Sequence, residues 1–222
     1  MDFTGRHSPS PIILTAIRWY LRYKLSYRDV EELLGERGVQ VDHSTINRWV
    51  IKYAPLLLEK ARKYKKTVGV SWRLDETYIK VKGQWKYLYR AVDKEGNTID
   101  FLLTAKRDTQ AALRFLRRAI RHNGTPEKIN IDKSGANTSA INAYNKESGS
   151  IIEIRQCKFL NNIIEQDHRV VKQKMRAALG FKEFHSAQAT IGGIELVHMI
   201  RKGQVRPIPG GSFIDQFNSL AV

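Results

Sequence analysis

The sequence is nearly without cysteine: Cys157 is the one thiol among 222 residues. A single thiol excludes an intramolecular disulfide and any zinc site built on cysteine pairs, and it suits a reducing compartment. The six histidines are scattered without HExxH spacing, so no histidine metal site is read. No apolar run approaches the roughly 18 residues that a membrane span needs. The opening residues, MDFTGRHSPSPI, lack a basic stretch followed by an apolar one, so no secretory signal is expected. The expectation is a soluble, cytoplasmic protein with no membrane contact. Acidic residues are also short, 22 Asp and Glu against 38 Lys and Arg, for a net charge of +16. An excess of this size, spread along the chain, suits an extended contact with a polyanion, which inside a cell means DNA or RNA. The hydrophobic share of 42% is ample for a core and argues against global disorder.

What is present falls into two patterns. Residues 11–66 read as helical. Pro11 suits a helix start, with Ile13, Ile17 and Leu21 at helical spacing. In SYRDVEELLGERG, Ser26 is placed to cap and Asp29 to answer it, while Gly35 and Gly38 end the helix. A third helix begins near Asp42 or Ser44, and Pro55 is expected to kink or split it. Helix, turn, helix with basic residues on the last member is the layout of a helix-turn-helix reader. On that reading Ser44, Thr45, Asn47, Arg48 and Lys52 meet a DNA groove; a plain three-helix bundle with a solvated face fits the same pattern.

After Lys66 the pattern turns β-prone. WRLDETYIKV, QWKYLYRAVDK and TIDFLLTAK are three strands parted by KGQ and EGN turns, an antiparallel meander. A helix capped by Asp108, the strand EKINID, a Ser/Asn-rich helix, the strand IIEIRQC and two further helices follow. The order βββ-α-β-α-β-α-α predicts an α/β fold, a mixed five-stranded sheet with flanking helices, which is the order of the ribonuclease-H-like fold. The expected division is a helical domain over 1–66, an α/β domain over 67–205 and a Pro/Gly-broken tail over 206–222.

Within this order three carboxylates attract attention. Asp75 sits inside a strand among Trp72, Leu74, Tyr78 and Ile79, where a charge is costly without a partner or a metal. Asp132 ends the fourth strand, which in this order lies beside the first. Glu165 falls in the first turns of a helix that can turn back to the same edge. Phosphodiester cleavage and transfer use two metal ions roughly 4 Å apart, held by a few acidic oxygens from rigid elements. With 22 acidic residues some triplet can always be chosen, and singly Asp132 could cap the helix after it and Glu165 could be a solvated helix residue.

Longer stretches settle the choice by likeness. FTGRHSPSPIIL, IRWYLRYKLSYRDVEELLGERGVQVDHSTINRWV, WRLDETYIKVKGQWKYLYRAVD and KFLNNIIEQDHRVVKQK resemble the signatures of the insertion-sequence-six transposases, bacterial enzymes of the DDE class, almost end to end. The resemblance implies that Asp75, Asp132 and Glu165 are catalytic and bind two Mg²⁺ ions, with Mn²⁺ as a substitute, and that Lys172 accompanies the glutamate. Independently, the seven-residue spacing places Glu165 and Lys172 on one helical face, with His168, Arg169 and Arg176 beside it as further DNA contacts. The resemblance also implies double-stranded DNA as partner, both transposon ends and target, joined in a replicative, cointegrate-type reaction. Pairing two ends calls for a homodimer or larger assembly, located with the bacterial nucleoid. The chain departs from the family in a shorter stretch between Asp132 and Glu165 and in SGANTSA after Asp132. Two other readings share these residues: a DNA-binding protein that has lost its chemistry, and a ribonuclease-H-like nuclease acting on RNA–DNA hybrids.

Overall fold

A computed structural model describes the chain except for residues 2, 4–7, 178, 179, 207, 210 and 222. Residues 4–7 of the family-like stretch FTGRHSPSPIIL, and residues 207, 210 and 222 of the expected tail, therefore lie outside the described residues. Two compact units emerge, one of residues 1–66 with 171–222 and one of residues 67–170.

The first unit is helical. It holds α1 (Ser10–Arg22), α2 (Tyr27–Gly35), α3 (His43–Lys63), α7 (Phe184–Arg201) and α8 (Phe213–Ser219). The second half of α6 (Asn162–Ala177) belongs to it as well. Local chemistry explains the starts. Ser26 and Asp29 form a reciprocal capping box at α2, and Asp42 accepts the Ser44 N–H at α3. Pro55 does not split α3, which runs unbroken to Lys63. The proline faces solvent while Ala54, Leu57, Leu58 and Ala61 around it are buried. Burying these side chains offsets the ~3 kcal/mol that an interior proline costs. Helix α7 is buried almost all round, as befits the central helix of this unit. At Gly193 a Cβ would come within 2.6 Å of Leu21 Cδ1 and 3.0 Å of Ala54 Cβ, so this close approach of α7 to α1 and α3 requires glycine.

The packing divides the chain differently from the expected 67–205 and 206–222: residues from 171 onward group with the N-terminal helices. The tail is also not simply broken. Ser212 and Asp215 repeat the capping box of α2 and start α8, whose Phe217 is fully buried. The Ser-x-x-Asp spacing was readable there, and the surrounding Pro and Gly hid it.

The second unit is a five-stranded sheet in the order β3-β2-β1-β4-β5. Its strands are β1 (Ser71–Val81), β2 (Gln84–Asp93), β3 (Thr98–Thr104), β4 (Lys128–Ile131) and β5 (Glu153–Gln156). The meander pairs antiparallel, while β1 with β4 and β4 with β5 pair parallel. Helices α4 (Thr109–Asn123) and α5 (Gly135–Ser148) cover one face. A core of Trp72, Leu74, Tyr89, Phe115, Leu116 and Ile129 with their neighbours lies between. This is the expected α/β, ribonuclease-H-like arrangement, with β1 and β4 adjacent. Among the described residues no helix is long and apolar enough to cross a membrane.

Candidate active site

The site begins with strand register. β4 pairs with β1 only across Ser71–Arg73, so Asp75 lies just past the shared ladder, where β4 ends at Ile131 and Asp132 follows. Parallel pairing thus delivers both aspartates to one edge of the sheet. Carboxylate oxygens of Asp75, Asp132 and one residue not expected, Glu76, all lie within 4.8 Å of one another. Burial pushes the Asp75 carboxyl up to about 7; the Glu76 N–H opposes this, and the charges of Glu76, Asp132 and Glu165 add to it. Glu165 stands in the first turn of α6, exposed, outside that 4.8 Å group but near enough for its charge to act on Asp75.

The three clustered carboxylates are not equivalent. Glu76 is 3% exposed in its side chain and is held on both oxygens: Arg107 pairs with Oε1 at 2.5 Å, and Asn137 Nδ2 donates to Oε2 at 2.9 Å. Asp132 accepts the Ser134 N–H, at 3.0 Å, in the turn before α5. His168 Nδ1 lies 3.6 Å from Asp75 Oδ2. Glu76 is thus paired through both oxygens, while Asp75 faces His168 and Asp132 holds the Ser134 N–H, and the three carboxylates still gather at one point. An all-oxygen donor set under like-charge strain fits a hard divalent cation such as Mg²⁺.

Long-range polar contacts fix the helix that carries Glu165. Asn130, buried at the end of β4, donates to Cys157 O at 2.9 Å and Asn161 Oδ1 at 2.6 Å, and it accepts the Cys157 N–H at 3.2 Å. These bonds grip the 3-10 turn Lys158–Asn161 that launches α6. Arg90, fully buried opposite Asp75 on β2, pairs with Asp167 at 3.1 Å and donates to Thr98 Oγ1 at 3.1 Å. Sequence reasoning missed Glu76, Arg90, Asn130, Arg107, Asn137 and Asp167. Glu76 had a signal, since strand alternation puts it on the Trp72 and Leu74 face, where a charge needs a partner. The partners themselves come from elements distant in sequence and had none.

The expected DNA contacts are distributed unevenly. On α3, Arg48 and Lys52 are exposed, and Arg48 donates to Thr45 Oγ1 at 2.9 Å. The Ser44 hydroxyl and N–H both serve Asp42. Ser44 and Asn47 line a cleft of about 530 Å³ with Tyr27, Phe181 and Ser186. Arg169, Lys172 and Arg176 are exposed on α6. His168 is not: it is 5% exposed and faces Asp75, because its place in the helix turns it inward beside Asp167. It belongs with the carboxylates and presents no surface to a duplex.

Asp75 within β1 beside Asp132 just past β4, with the helix-borne Glu165 acting on Asp75, is an arrangement that suits a DDE-class polynucleotidyl transferase. The comparisons agree. Residues 69–204 match the DDE domain family DDE_Tnp_IS240. The chain is 42% identical over 199 residues to the transposase for insertion sequence-like element IS431mec of Staphylococcus aureus strain Mu50, covering 89% of this chain and 87% of the relative. It is 41% identical, with the same coverage, to the transposase for insertion sequence element IS257 in transposon Tn4003, also from Staphylococcus aureus. The chain belongs to the insertion-sequence-six family of transposases. Among solved structures, the catalytic core domain of HTLV-2 integrase in complex with magnesium is 16% identical, with a TM-score of 0.49 over 69% of this chain and 99% of that chain.

Proposed function

We propose that Asp75, Asp132 and Glu165 are the catalytic carboxylates of a reaction that nicks DNA at the ends of an insertion sequence and joins the freed 3′ ends to target DNA. The observation that carries this reading is the convergence of the Asp75 and Asp132 carboxylates where β4 leaves β1, with Glu165 near enough for its charge to act on Asp75. Asp75 and Asp132 would hold two Mg²⁺ ions, or Mn²⁺, with Glu165 completing the set. When bound, such ions activate the attacking oxygen and stabilise the leaving one. The protein's own groups supply positioning: Arg90 and Asn130 hold the start of α6 in place, and His168 lies against Asp75. Arg107 keeps Glu76 from competing as a ligand.

In the same reading, Lys172 contacts substrate phosphate, with Arg169 and Arg176 adding phosphate contacts from the exposed side of α6. Ser44, Thr45, Asn47, Arg48 and Lys52 on α3 read the terminal inverted repeats of double-stranded DNA. The net charge of +16 favours that association. Two ends must be brought together, so the working form is a homodimer or larger assembly in the bacterial cytoplasm, acting on the nucleoid. The product is a cointegrate. A strand-joining assay with transposon-end duplex, target plasmid and Mg²⁺ tests the reading. Joined product from the wild type is expected; hybrid RNA cleavage without joining, or joining that survives loss of the aspartates, contradicts it.

A further inference from the structure

Beyond the carboxylates, the β1–β2 hairpin carries side chains that the chemistry above does not use. The two strands run on past the sheet: β4 leaves β1 after Arg73, and β3 leaves β2 before Tyr87. Val81 pairs with Gln84 across the two-residue turn Lys82-Gly83, whose φ values of 49° and 76° suit a tight hairpin. On one face of this ribbon the register stacks Glu76 beside Tyr89, Tyr78 beside Tyr87 and Lys80 beside Trp85. The ladder thus climbs from the active-site edge to the tip.

Its outer rungs are open. Tyr78 is 48% exposed and Trp85 59% exposed. Their rings meet edge to face at 6.2 Å, and Tyr78 packs on the half-buried Tyr87 at 5.4 Å, so the array is held in place. Lys80 Nζ stands 5.8 Å from the Trp85 ring centre. Lys82 lies exposed in the turn, and Arg107, paired with Glu76, stands at the inner end. Large exposed aromatic surface is costly in water and usually marks a binding face. Aromatic rings interleaved with cations are the combination that holds single-stranded nucleic acid, with bases on the rings and phosphates on the cations. A duplex interior cannot use such rings, because its bases already stack on one another. Only bases unpaired at a frayed or nicked end offer a free face. Five residues of strand separate Asp75 from Lys80, about 17 Å at ~3.3 Å per residue. Asp75 springs from the other face of the strand, but its carboxylate lies within 4.8 Å of that of Glu76 on the ring face. A strand cut at this edge therefore passes Glu76 to reach the rings within a few nucleotides.

We propose that the Tyr78–Trp85 face of the β1–β2 hairpin captures unpaired bases of the DNA strand next to the site of cleavage. This rests on the reading of the carboxylate edge as the site of DNA chemistry. The test uses the full chain in metal-free buffer, so that it reads binding alone and its failure is separable from failure of the chemistry. The probes are a blunt duplex and the same duplex with a short unpaired end carrying 2-aminopurine. Wild-type protein is expected to bind the frayed probe more tightly and to quench its fluorescence by stacking. Tyr78→Ala with Trp85→Ala is expected to abolish the quenching and to weaken frayed-end binding by about tenfold or more, with little change for the blunt duplex. Trp85→Phe, which keeps a ring, should retain most of the effect. Lys80→Ala should weaken both probes alike and lower the salt slope by about one. Unchanged quenching in the double alanine variant overturns the proposal. So does a fall in sedimentation mass with DNA affinity intact, which makes the face a contact between two copies of the chain.

Discussion

Two clusters in this chain look alike on distance alone. In the sheet unit, Asp75, Glu76 and Asp132 bring carboxylate oxygens within 4.8 Å of one another; in the helical unit, Glu31, Asp42 and His43 bring their ligand atoms equally close. Their electrostatics differ. His43 Nδ1 lies 2.9 Å from Glu31 and 3.4 Å from Asp42, and Ser44 bonds hold the exposed Asp42 carboxyl below the usual carboxylate range. Each of these acids lies beside the half-exposed His43, where water screens its charge. Asp75 instead is pushed up to about 7, by burial first and by the neighbouring charges of Glu76, Asp132 and Glu165 after it. Proximity alone therefore does not mark the metal site; burial of a carboxylate among like charges does.

The largest effect that sharpens this contrast is catalytic. Glu165→Gln should reduce strand joining at least about a thousandfold, on the scale of losing a group that stabilises transition-state charge. Glu31→Gln should leave joining within a few fold of wild type. Equal losses in a gel assay of the two variants would break the comparison.

Next is the buried pair behind the site. Arg90→Ala removes a fully buried guanidinium together with its pairing to Asp167 and should cost about 3–5 kcal/mol in urea unfolding. Near-wild-type stability would mean that α6 is held by other contacts.

The Asp75 carboxyl carries a sign as well as a size. Its folded value of about 7 stands above the unfolded ~3.9, so the folded state binds the extra proton. That contribution is complete below pH ~4 and is lost as pH rises toward 7, beyond which it levels off. In metal-free buffer at pH 8, Asp75→Asn should therefore stabilise the protein by roughly 2–4 kcal/mol, and the gain should vanish near pH 4. Denaturant titrations at the two pH values check this; destabilisation at pH 8 would contradict the account of Asp75 as a buried charge among like charges.

Metal binding itself gives a smaller effect. Saturating Mg²⁺ or Mn²⁺, at ~100 times its dissociation constant, should stabilise the wild type by about 2.7 kcal/mol. Thermal unfolding should show that increment kept in Glu31→Gln and absent in Asp132→Asn. An increment that follows Glu31 instead would move the metal to the helical cluster.

Much of this was legible in the residues. Strand alternation, the KG and EGN turns and the Asp108 cap predict the sheet and its order, and that order places Asp75 beside Asp132. The caps at Ser26 and Asp42 set the two helix starts that matter for α2 and α3. What was illegible depends on distant partners. Nothing near Asn130 announces that it grips Cys157 and Asn161, and nothing near Glu76 announces Arg107. His168 read as a surface group because helical spacing alone does not tell which face is buried. The split that Pro55 allows does not occur for a related reason: local cost favours a break, and burial of the surrounding side chains outweighs it.

The most direct test is strand joining by Asp132→Asn, with purified protein, transposon-end duplex, target DNA and Mg²⁺. Asparagine keeps the size of the side chain and removes its charge, so end binding should persist while joined product disappears. Joining at the wild-type rate would contradict the assignment of this carboxylate edge as the catalytic centre.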